Sequence, residues 1–176
     1  MDRTLAEKHR RSPLATPTTL GANATTDISG ALTALLADVF ALYLKTKNFH
    51  WHMSGKHFRD YHLLLDEQAD GIYASIDPLA ERVRKLGAPT VHSFAEILKL
   101  ATLDESEDEF LTPQEMFEEL IADNKAVVQS MRKAHDVCDD KNDVATASLL
   151  ENYIDEAEKR LWFLFETNQI RGDNRS

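Results

Sequence analysis

Five residues between positions 50 and 81 stand out as potential metal ligands: His50, His62, Asp66, Asp77 and Glu81. Imidazole nitrogen combined with hard carboxylate oxygen suits iron, manganese or zinc rather than calcium. Placed on one α-helix at about 100° per residue, His62, Asp66, Asp77 and Glu81 fall at roughly 0°, 40°, 60° and 100°, a single narrow stripe. His62 and Asp66 are one turn apart, and so are Asp77 and Glu81. The two pairs are separated by about 15 residues, hence roughly 22 Å along the axis. One ion with bonds near 2 Å cannot touch both ends. Either other elements complete each half, or two such helices lie antiparallel about a two-fold axis. In the second arrangement the His62/Asp66 end of one chain faces the Asp77/Glu81 end of its partner, as an isologous dimer requires. We prefer the dimer.

The elements that must position these residues read as helices. Ile28, Leu32, Leu35, Leu36, Val39, Phe40, Tyr43 and Leu44 keep 3/4 spacing, which predicts a first helix starting at Thr26 or Asp27 and running on to deliver His50 and Trp51. Ser54-Gly55-Lys56 is a turn, and a second helix follows from about Lys56 to Leu86. Pro78 interrupts its pattern; Asp77 as N-cap of a separate helix is one reading, but Ile76, Leu79, Val83 and Leu86 stay in phase and favour a kinked continuous helix. Ser93 to Glu96 is a capping box opening a short helix to about Ala101, and Thr112-Pro113-Gln114-Glu115 is a second, opening a long one. The last helix follows the turn at Cys138–Asp143 and ends near Gln169. The acidic run at 104–109 reads as solvated loop. His52 and His57 flank the ligand motif and are left out of it.

His50-Trp51, Gly55, Phe58, His62, Asp66, Asp77 and Ala80-Glu81-Arg82 resemble the signature of the Dps family, the ferritin-like miniferritins of starved bacterial cells. The resemblance runs from about Thr26 to Gln169. It implies an all-α, ferritin-like four-helix bundle with a short extra helix between the second and third long helices. It also implies a hollow dodecamer with ferroxidase centres at dimer interfaces: the histidines and Asp66 from one subunit, Asp77 and Glu81 from the neighbour. Two iron ions would be oxidised there, by hydrogen peroxide in preference to dioxygen, and stored as ferric mineral. Acids near Asp143 would line a pore for Fe²⁺; helix capping is the alternative role for Asp143. Trp51 beside the site would take up stray oxidising equivalents, although interface packing is the simpler role.

Composition narrows the alternatives. At 176 residues the chain fits one domain, with a tail at 1–25, a bundle at 26–170 and a short end at 171–176. A single cysteine, Cys138, excludes an intrachain disulfide framework and fits a reducing cytoplasm, where a nucleoid association is also compatible. The amino terminus lacks the apolar core of a secretory signal, and no run approaches 18 apolar residues, so no membrane span is expected. A net charge of −10 argues against a body that grips nucleic acid and suits one that gathers cations. The first 20 residues carry Arg3, Lys8, Arg10 and Arg11 against Asp2 and Glu7, an arm for DNA phosphates or a solvated tail. Di-iron proteins that hold both metals inside one bundle use Glu-x-x-His pairs, and none occurs here. A DNA-compacting nucleoid protein with little ferroxidase activity is the other class considered; five filled ligand positions speak against it.

Overall fold

The computed structural model describes residues 14–169. Four long helices and one short one follow in the order α1 (Ala22–His52), α2 (Phe58–Lys85), α3 (Phe94–Leu100), α4 (Pro113–Asp140) and α5 (Val144–Thr167). The described residues contain no strand. Helices α1 and α2 form one hairpin and α4 and α5 another; α1 packs on α4 to close a four-helix bundle, with α3 laid against α1.

Helix α1 begins at Ala22, four residues before the expected Thr26. Its N-cap is Gly21, in extended conformation and without a side-chain cap. The hydroxyls of Thr25 and Thr26 both donate back to the Ala22 carbonyl at 2.9 Å, so they satisfy themselves inside the helix instead of starting it. Its apolar face (Ile28, Leu32, Leu35, Leu36, Val39, Leu42, Phe49) is fully buried. By length and mean hydropathy (1.5 over 18 residues) α1 is apolar enough to cross a membrane, which the search for unbroken apolar runs overlooked. Half of that window is buried within the bundle, as the core helix of a globular fold would be.

Gly55, at φ 102°, makes the turn into α2 in a conformation that side-chain-bearing residues avoid. Helix α2 runs unbroken through Pro78, so the ligand stripe lies on one element. Gly87, at φ 84°, lets the chain leave α2 beneath the backbone of Thr16; a Cβ here would sit 3.2 Å from the Thr16 carbonyl oxygen. Ser93 caps α3 by accepting from the Glu96 amide. Glu96 returns its carboxylate to the amide of His92 rather than Ser93, so the expected box is displaced by one residue. Thr112 and Glu115 form the full reciprocal box at α4.

Two polar ties pin the α3–α4 connection to α1. Asp38, 2% exposed, accepts from the amide and hydroxyl of Thr102. Lys45 donates to the Asp104 carbonyl at 2.6 Å and pairs with Asp123 at 2.7 Å. Cys138 is fully buried, and burial pushes its thiol up to about 11, so thiolate chemistry is closed to it near neutrality.

Candidate metal centre

The last turn of α1 and the second turn of α2 meet across the Gly55 turn, and their two histidines stack. The His50 and His62 rings lie 3.7 Å apart at 21°. Each ring is tied to the backbone of the opposite helix: His50 Nδ1 is 2.8 Å from the His62 carbonyl oxygen, and His62 Nδ1 is 2.9 Å from the His50 carbonyl oxygen. A carbonyl only accepts, so both Nδ1 atoms carry the proton in the neutral rings. Both Nε2 lone pairs are thereby free to bind a metal, with the ring orientations fixed by the bond on the other side.

Asp66, one turn after His62, brings its Oδ1 to 3.7 Å from His50 Nε2. Lys47, one turn before His50, donates to the same Oδ1 at 2.6 Å. That ammonium holds the Asp66 carboxyl below the usual carboxylate range, against a smaller opposing effect of desolvation. Sequence reasoning passed over Lys47; its signal was the three-residue spacing from His50, which places both on one side of α1. His50 is 7% exposed, whereas the Asp66 side chain is 43% exposed, so the donor group opens to one side.

Asp77 and Glu81 do not join this group. Both are exposed on the far half of α2, where Glu81 pairs with Lys85 at 3.1 Å. Among the described residues no three His, Cys, Asp or Glu side chains close into a metal-ready set. Within one protomer the His62/Asp66 and Asp77/Glu81 ends of the stripe therefore stay apart on α2. His52, also exposed, turns its Nδ1 to the Asn48 carbonyl at 2.8 Å, away from the centre. Asp143 caps α5 through the Thr146 amide and accepts from the Thr146 hydroxyl and from a single Arg82 terminal nitrogen that reaches both of its oxygens, and it is 4% exposed. The capping role assigned to it as an alternative is thus occupied.

An all-α four-helix bundle of this order is the fold of ferritin-like proteins, and residues 29–170 match the family model described as the ferritin-like domain. The chain is similar to the DNA protection during starvation protein 1 of Deinococcus radiodurans, 33% identical over 129 residues, which cover 73% of this chain and 62% of that one. Among solved structures it resembles Dps from Thermosynechococcus elongatus (32% identity, TM-score 0.81, covering 88% of this chain and 100% of that one). Dps from Vibrio cholerae, described as a member of a broad superfamily of ferritin-like diiron-carboxylate proteins, is 29% identical with a TM-score of 0.82 over 88% and 98% of the two chains. The chain belongs to the Dps family of ferritin-like proteins.

Proposed function

We propose that this protein is an iron-oxidising and iron-storing shell whose centres form between subunits. The observation that carries the reading is the reciprocal His50–His62 pair, both Nε2 atoms free beside Asp66. Asp77 and Glu81 stand on the same stripe of α2, at the spacing an antiparallel partner needs to complete the set. His50, His62 and Asp66 of one subunit with Asp77 and Glu81 of the partner subunit would take up two Fe²⁺ ions as substrate. Peroxide would accept one electron from each iron, and with two protons it leaves as two waters. Carboxylates offset the charge that each iron gains. Consuming Fe²⁺ and peroxide together removes the reactants that generate hydroxyl radical. A closed shell of twelve subunits would hold the mineral, in the cytoplasm and beside the nucleoid if the amino-terminal arm reaches DNA.

Rapid mixing of anaerobically Fe²⁺-loaded protein with peroxide or dioxygen, followed optically, tests this. His62→Ala combined with Asp66→Ala should slow peroxide-driven oxidation at least 100-fold while the oligomer persists in sedimentation, given losses of about 10–100-fold for single disruptions around a metal site. An unchanged rate would move the centre elsewhere on the chain.

A further inference from the structure

The ligand stripe of α2 has a symmetry that fixes more than the metal ligands. Facing His62 with the partner's Glu81, and Asp66 with the partner's Asp77, sets a single register, because both pairs of residue numbers add to 143. The two-fold axis then passes between Gly71 and Ile72. Around the helix these pairs straddle one bisector, at roughly 50° on the projection that places His62 at zero. Of the pairs further inward with the same sum, Asp70 and Tyr73, at roughly 80° and 20°, are the ones that lie within about 30° of this bisector. Asp70 of one chain thus faces the partner's Tyr73 on each side of the axis.

Within the protomer the polar ends of both side chains are left without a partner among the described residues. Tyr73 is 60% exposed in the middle of a 28-residue helix, its ring leaning on Tyr43 with centroids 5.3 Å apart. Neither its hydroxyl nor the Asp70 carboxylate makes a hydrogen bond among the described residues, and Asp70 is exposed. An aromatic ring with a polar tip suits a site that becomes covered while the tip finds a partner. The register further brings Asp70 of both subunits close to the axis, with Asp66 and Asp77 about 8 Å along the helix to either side, a face that repels itself unless cations or donors intervene.

We propose that Tyr73 donates its phenolic hydroxyl to the partner's Asp70, twice per dimer, as a lock at the two-fold axis that works without metal and sets the separation of the two half-sites. This rests on the two-fold arrangement proposed above. By symmetry each substitution removes both bonds, and hydrogen bonds to charged groups are worth enough for a change of at least ten-fold in dimer dissociation. The test is sedimentation of chelator-treated protein across a dilution series, for the native chain, Tyr73→Phe, Asp70→Ala and the double variant. Tyr73→Phe keeps the ring and its contact with Tyr43, so it reads the hydroxyl alone. Each single variant should dissociate at concentrations at least ten-fold higher than the native chain, and the double variant no more readily than the weaker single one. Redox-inert Zn²⁺ should restore association in all three variants through the bridging ligands. If Asp70 merely repels its counterpart, Asp70→Ala will tighten the dimer; that result, additive losses, or unaltered dissociation would overturn the lock while leaving the two-fold metal site standing. A native chain that stays monomeric with and without Zn²⁺ would instead overturn the two-fold arrangement, and the lock with it.

Discussion

At the scale of single residues, Lys47 and Asp66 would decide how readily the proposed centre accepts a cation. The ammonium sits 2.6 Å from the oxygen that stands nearest His50 Nε2, so under the proposed function an incoming Fe²⁺ would compete with it for Asp66 Oδ1. Because Asp66 is partly open to water, the ion pair is screened and its worth lies within the range of exposed pairs. Lys47→Met should therefore tighten Co²⁺ binding about two- to five-fold in calorimetric titration. Weaker binding would mean that Lys47 props the carboxylate in place rather than competing for it. None of this was visible in the ligand spacing, since a lysine three residues before a histidine has many uses. The stripe of His62, Asp66, Asp77 and Glu81 was legible because imidazole and carboxylate gathered within a 100° arc are improbable on an otherwise amphipathic helix.

At the scale of elements, α2 carries its information through Pro78. Residues 76, 79, 83 and 86 keep phase across the proline, and that phase correctly indicated continuity. The start of α1 was misjudged for an equally physical reason: a threonine that caps a helix and one that bonds back to its own helix have the same sequence signature. The α4–α5 turn depends on Asp143. Burial works to raise its carboxyl, but hydrogen bonds from Thr146 and Arg82 outweigh this and hold it below the ordinary 3.8. Since the folded value is the lower one, the contribution is complete above the unfolded value and lost as pH falls through the folded value. Asp143→Ala should cost about 2–3 kcal/mol at neutral pH, from the lost cap and the stranded Arg82. Urea unfolding of both proteins should show that difference shrinking below about pH 4. A gap independent of pH would assign the loss to packing. Asp38 and Lys45, seven residues apart on the buried face of α1, were not read as ties because no sequence pattern names their distant partners, Thr102 and Asp123.

For the whole molecule, charge sets the terms of any encounter with DNA. The first 20 residues carry an excess of +2 within a total of −10, which leaves −12 on the rest, so a duplex is repelled by everything but the arm. All four cations of the arm precede residue 14 and lie outside the described residues, whereas 14–20 run along the end of α2, with Thr16 donating to the Arg84 carbonyl and Arg84 to that of Leu14. Removing residues 2–13 should abolish retention of duplex DNA at low salt while leaving iron oxidation intact; retention that persists, or that ignores salt, would place the contact on the body. The histidine pair has its own bearing on the assembled protein. Each ring is hydrogen-bonded to the main chain of the opposite helix, so sliding α1 along α2 by a fraction of a turn would break both bonds and release both tautomers together. The centre is in this sense a vernier on the hairpin. Its affinity for cations should decay with heating or mechanical load before helicity does, reporting misalignment while the bundle is still folded.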